Sequence, residues 1–113
     1  MNDVYQAVPI AWPAIIEFAD GHGYAWVANA DDCEAHHPHA GDGLIDGEGW
    51  PHLLSQREDG SLYWQRQQRL ISVPALNESL RAYAARLGIC CIPKLRVASP
   101  AEAVALVAWL EQQ

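Results

Sequence analysis

Leu76, Leu80, Tyr83, Ala84 and Leu87 recur at helical spacing and are followed at once by Gly88. That spacing lines one side of an α-helix, and a glycine just past its end readily takes the left-handed conformation that closes a helix C-terminus. A helix with a single apolar stripe must lay it on another element. Ile89, Cys90, Cys91 and Ile92 open a strand running to Val97, apolar enough for burial on both faces, although Pro93 suits a central position poorly. Ser99, Pro100 and Glu102 then spell a capping box with proline at the first helical position, starting a second helix through Ala103, Val104, Leu106, Val107 and Leu110.

Upstream the period changes from helical to alternating. Trp12 to Phe18 and Tyr24 to Ala28 are rich in aromatic and β-branched residues and flank Asp20, Gly21, His22 and Gly23, which predicts a β-hairpin. Ala14, Ile16 and Phe18 share one face, as do Tyr24, Trp26 and Ala28 on the partner strand, and cross-strand aromatic pairs are expected between them. Leu44 to Asp46, Pro51 to Ser55 and Leu62 to Gln67 read as three further strands joined in a meander through Gly47, Glu48 and Gly49 and through an Arg57 to Ser61 turn. The expected class is α+β: one domain over residues 1–113, with a mixed, mostly antiparallel sheet (hairpin plus meander) and two C-terminal helices packed on one face. The strand, helix, strand succession from Leu62 to Val97 invites a right-handed crossover. Only residues 31–43 interrupt this order, as an irregular acidic and histidine-rich loop in which Asn29 or Asp31 caps one short helical turn ended by Pro38 and Gly41.

A chain of 113 residues, half of them apolar, supports a single core. Its longest apolar run, Ala103 to Leu110, is far short of the roughly 20 residues of a membrane helix, and Met1 to Pro9 has neither the basic end nor the apolar core of a signal peptide. No membrane association and a cytoplasmic location are therefore expected. The three cysteines read as free thiols in a reducing compartment. The net charge of −7 is unevenly spread: residues 1–60 hold eleven acids and one base, Arg57, whereas residues 61–113 hold six bases and three acids. With that sign, and without a block of lysine and arginine among aromatics, nucleic acid is not an expected partner.

Cys33, His36, His37 and His39 form the strongest candidate for chemistry. Cysteine and histidine three or four positions apart on one helical turn share a face and can grip a transition metal such as zinc. A fourth ligand would have to come from Asp31, Asp32, His22 or His52, and a plain surface loop accounts for the same residues. The glycine pattern from Gly41 to Gly47 is neither a dinucleotide loop, since its third glycine falls one residue late, nor a calcium loop, since Leu44 and Leu53 stand where oxygen ligands are needed. Adjacent Cys90 and Cys91 on a strand point to opposite faces and do not make a redox pair. Glu17, Asp20, Asp46 and Glu48 could supply a general acid and base, but any acidic sheet rim looks the same. Trp12, Trp26, Tyr63 and Trp64 could line a sheet face that binds a ligand, with core packing as the simpler role.

The opening strand with Trp12 and Pro13, the Leu44, Ile45, Asp46 segment and the helix-to-strand joint Leu87, Gly88, Ile89, Cys90, Cys91, Ile92 to Lys94 together resemble a family of short uncharacterised bacterial proteins. The resemblance covers most of the chain and implies no activity, cofactor or catalytic residue; the Cys33 and histidine cluster is not part of it. No complete catalytic set is present. The expected role is that of a small accessory or regulatory protein whose acidic surface, with Asp31, Asp32, Glu34 and Asp42, contacts another protein or a second copy of the chain. A metal protein built on Cys33, His36, His37 and His39, and a ligand binder built on the tryptophans, are the alternatives.

Overall fold

Turn chemistry and strand propensity place β1 at Ala14–Phe18 and β2 at Gly23–Val27 in a computed structural model that describes residues 9–21, 23–89 and 95–113. A short helix α1 (Ala30–Ala35) follows, then β3 (Gly43–Ile45), β4 (Pro51–Gln56), β5 (Leu62–Arg66) and the helices α2 (Val73–Arg86) and α3 (Pro100–Glu111). The strands form one sheet in the order β2-β1-β3-β4-β5, antiparallel at every joint among the described residues. The hairpin and the meander are thus those expected, and α1 carries the chain from β2 across one face to β3.

The hairpin register departs from expectation. Phe18 stands opposite Gly23, Glu17 opposite Tyr24 and Ile15 opposite Trp26. Side chains directly opposite share a face, so Phe18 and the Tyr24, Trp26 pair lie on different faces and the expected cross-strand aromatic pairs do not form. Ile15, Tyr24 and Ile45 meet α2 and α3, whereas Ala14, Ile16, Ala25, Val27 and Leu44 meet α1 through Cys33. Both C-terminal helices therefore pack on one face, and the sheet has a core on each side.

Local signals set the helix ends. The Asn29 side chain accepts from the Asp32 N–H at 2.8 Å to start α1, and the Ser72 hydroxyl accepts from the Ala75 N–H to start α2. Gly88, at φ 80°, lets its own N–H donate to Ala85 and the Ile89 N–H to Ala84, a Schellman closure. At α3 the expected box is altered: Ser99 makes no side-chain cap, and Glu102 instead accepts from the Ala98 N–H at 3.0 Å. The strand expected over Ile89–Val97 lies partly outside the described residues, at 90–94; Ile89 and Leu95–Val97, on either side, belong to no strand. Cys90, Cys91 and Lys94 fall in the same gap. Leu95 and Val97 are nonetheless buried, and the buried Asn77 of α2 holds Val97 at both backbone groups, accepting its N–H at 2.7 Å and donating to its C=O at 3.0 Å.

The two outer strands are finished differently. On β2 one outward group on each of three alternate residues is met by a side chain. Tyr83 donates to the Tyr24 carbonyl at 2.9 Å, Glu111 accepts the Trp26 N–H at 2.8 Å, and Asp32 accepts the Ala28 N–H at 2.9 Å just past the strand end. On β5 the Gln67 N–H donates inward to Pro51, and the Arg57 N–H donates to Ser61 across the hairpin turn. Antiparallel strands alternate inward and outward residues, so Tyr63 and Gln65 face β4 while Leu62, Trp64 and Arg66 turn their backbone groups out. Among the described residues nothing bonds to those outward groups.

Candidate functional site

The stretch that the sequence marks as unusual folds into scaffold as much as surface. Cys33 is buried against Ala14, Ile16, Val27 and Leu44. Burial pushes its thiol up to about 11; a hydrogen bond with the Trp64 side chain opposes this rise, and the Glu34 and Asp32 carboxylates add to it. A protonated, enclosed thiol is neither a ready nucleophile nor a ready metal ligand. His36, His37 and His39 are exposed, on the solvent side of the same turn. His36 Nδ1 lies 3.0 Å from the Asp32 carbonyl, and His37 has a positive φ of 50°. Cys33 and the three histidines therefore do not converge, and among the described residues no three His, Cys, Asp or Glu side chains come together to hold a metal ion. His22 lies outside the described residues, and His52 is bonded elsewhere.

The four acids expected to form an exposed patch separate likewise. Asp31 and Glu34 are exposed on α1. Asp32 is half-buried and spends its carboxylate on the Ala28 N–H. Asp42 does not reach the surface: it is buried, with Oδ1 accepting the Ala19 N–H at 2.9 Å and Oδ2 the His39 N–H at 2.8 Å. Backbone donors left over by the two turns need an acceptor, and a short carboxylate between them supplies it.

Asp46 and His52 form a second enclosed acidic site. His52 Nε2 lies 2.9 Å from Asp46 Oδ2, with both side chains almost completely shielded from water. Asp46 Oδ1 accepts from the backbone N–H groups of Glu48 and Trp50, and Oδ2 is also 3.4 Å from the Ala11 N–H. Desolvation alone would raise this carboxyl, but the His52 bond and the three backbone bonds outweigh it and hold the group below its ordinary value. An ionised carboxylate only accepts, so the proton between the pair sits on His52 Nε2. The pair ties the β3–β4 turn and the strap at Ala11 together. Its enclosure keeps solutes from using it as an acid and base.

The open chemistry lies on the α2 side of the sheet, in a cleft of about 520 Å³ lined by Glu17, Tyr24, Leu53, Arg69, Ser79 and Arg86 among others. Cross-strand neighbours Glu17 and Tyr24 point into it together, with the Tyr24 hydroxyl 3.3 Å from Glu17 Oε2 and 2.7 Å from Ser79 Oγ. Burial, opposed by the Ser79 bond and reinforced by Glu17, pushes Tyr24 up to about 12. The phenol therefore stays protonated and donates to Glu17. Arg86 donates to the Gly21 carbonyl at the same rim. Such a set can offer hydrogen-bond donors and acceptors to a polar group in the cleft. Sequence reasoning missed it because its residues come from separate elements; only the Glu17, Tyr24 pairing was open to inference, from hairpin register.

The tryptophans do not share one face. Trp26 packs with the α2 and α3 core, Trp12 and Trp64 with the α1 core. Trp50 is partly exposed beneath Arg66, whose guanidinium carbon sits 3.6 Å from the ring centroid.

A family model covers residues 12–107, that of DUF4144, described as a protein structure with unknown function. The chain belongs to this DUF4144 family. Among solved structures it is similar to the NMR structure of a protein from Shewanella amazonensis, at 24% identity and a TM-score of 0.63, over 97% of this chain and 98% of the other. At that identity the likeness shows the shared fold alone. No curated protein matches the chain. No helix among the described residues of this DUF4144 protein is long and apolar enough to cross a membrane.

Proposed function

We propose that the protein is a small accessory or regulatory module that acts by protein contact, with another protein or with a second copy of itself. The supporting observation is the uneven cover of its sheet. The helices α2 and α3 pack over β1, β2 and β3, and the β4–β5 ribbon stands beyond them. Leu53 is left 38% exposed on one face of the ribbon, Leu62 43% exposed on the other, and Leu70, in the connection to α2, 93% exposed. These apolar side chains lie on and beside the part of the sheet that the helices leave uncovered, which supports contact there. The acidic contribution narrows to Asp31 and Glu34, which steer a partner more than they hold it.

Capture from lysate onto the immobilised chain tests this reading. Replacing Leu53 and Leu62 together by serine is expected to abolish retention of the partner. Asp31→Asn with Glu34→Gln is expected to keep the partner while flattening the dependence of its binding on salt. A set of bound proteins unchanged by both double variants would overturn the reading.

A further inference from the structure

We propose that β5 is a self-association edge, along which two copies of the chain join their β5 strands antiparallel about a two-fold axis at Trp64 to make one continuous ten-stranded sheet. This rests on the contact reading above and names the partner as a second copy.

The geometry begins with the outward groups of Leu62, Trp64 and Arg66, which lie on alternate residues of one five-residue strand. An antiparallel neighbour satisfies all of them only if it offers the same spacing. A second β5, turned about Trp64, does so: Trp64 meets Trp64 of the partner subunit, and Leu62 meets Arg66 of the partner subunit on either side. Each of these three facing pairs exchanges an N–H and a C=O in both directions. The contact is self-complementary, as a two-fold interface must be.

Side chains agree with that register. Nothing within Leu62–Arg66 blunts the edge, for the strand holds neither proline nor lysine and pairs with β4 without a bulge. Its one charge, Arg66, is folded over Trp50. In the paired arrangement Arg66 faces the partially exposed Leu62, so no like charges stand opposite each other. The sheet's other edge is treated differently: Tyr83, Glu111 and Asp32 each reach one outward group along β2 and partly cover that edge. No such side chain reaches β5 among the described residues.

Charge sets the direction of the salt effect. Each copy carries −7, so approach is opposed overall, but residues 61–72 contain no acid and two arginines, Arg66 and Arg69, so the joint itself is not acidic. Added salt screens the general repulsion and is expected to strengthen the dimer. An acidic face docking on a basic one would weaken with salt instead. A joint of two short strands lies at the small end of specific interfaces, so a reversible, concentration-dependent dimer is expected.

Sedimentation equilibrium of the full chain, from dilute to concentrated and at low and high salt, reads this directly. The expected result is an average mass rising from 12.5 kDa toward twice that value, more readily at high salt. Leu62→Lys places two like-charged pairs against Arg66 and is expected to weaken association about tenfold, while Leu62→Glu places opposite charges there and tightens it. Since Leu62 is exposed, both variants keep the fold. In parallel, amide exchange at Leu62, Trp64 and Arg66 should slow as concentration rises, with Tyr63 and Gln65 already protected. A monomer under all conditions, or equal affinities for the lysine and glutamate variants, overturns the dimer. If the monomer still retains a partner that Leu53→Ser with Leu62→Ser abolishes, the contact reading survives without it.

Discussion

Along β2 the outward N–H groups of Trp26 and Ala28 and the outward carbonyl of Tyr24 end on Glu111, Asp32 and Tyr83, whereas the equivalent groups of Leu62, Trp64 and Arg66 on β5 end on no described side chain. Each of the three helices contributes one of the closing side chains: Asp32 from α1, Tyr83 from α2 and Glu111 from α3. The difference teaches that an edge in this fold is closed by whatever packs over it. The helices lie over the β2 half of the sheet, reach around its rim, and leave the β4–β5 ribbon beyond their span.

The contrast can be broken most severely at the root of the ribbon. Asp46→Ala strips the β3–β4 turn of its acceptor and leaves His52 buried without a partner, and is expected to cost about 3 kcal/mol in urea denaturation. The same carboxyl gives an acid limb. Its folded value lies below the ordinary 3.8, so at acid pH the unfolded chain binds the proton more tightly. This contribution to stability is complete above about pH 4 and is lost as pH falls through the folded value. Asp46→Ala should remove that part of the acid limb in denaturation profiles taken from neutral to acid pH.

Gly23→Ala attacks the closed edge. Gly23 has φ 112°, and a Cβ there would run into the Tyr83 ring whose hydroxyl closes Tyr24. A loss of about 2 kcal/mol in thermal or urea unfolding is expected from backbone strain and the displaced ring. Glu111→Ala is milder, about 1 kcal/mol, and sharpens the comparison because the Trp26 amide should then exchange with solvent like those of the β5 edge. Leu62→Ser on the open edge should change monomer stability by no more than about 0.5 kcal/mol in the same unfolding assay, since that side chain supports association rather than the fold.

Alkaline titration adds a check on the cleft. Tyr24 is raised in the folded state, so its contribution to stability is fully present below pH 10 and is lost as pH rises through about 12. Burial raises Tyr83 as well, so ultraviolet titration of the native chain should show late phenols from both tyrosines, with the Tyr24 contribution lost in Tyr24→Phe.

Much of the fold could be read along the chain. Turn residues marked the hairpin and the meander, Asn29 started α1, and Gly88 closed α2, because each of these is a contact within a few residues. The candidate site was less legible. Cys33, His36, His37 and His39 share a short turn in sequence, yet Cys33 faces the sheet and the histidines face water, a division made by packing against Val27 and Leu44. Asp42 looks like a loop acid and proves to be an acceptor inside the fold, since the Ala19 amide that it binds lies 23 positions away. The hairpin faces were misjudged for a smaller reason: alternation gives which residues share a face, but the register at the turn decides which faces coincide.

Local spacing thus determined the α+β class, the helix boundaries and the antiparallel hairpins, all of which depend on periodicity and on capping or turn groups close in sequence. Only the tertiary structure decided which acids are exposed, which strand is closed and which is left open. Those outcomes depend on side chains from distant segments meeting the same few backbone groups. Asp32, Tyr83 and Glu111 are separated in sequence and meet only because three helices pack around β2.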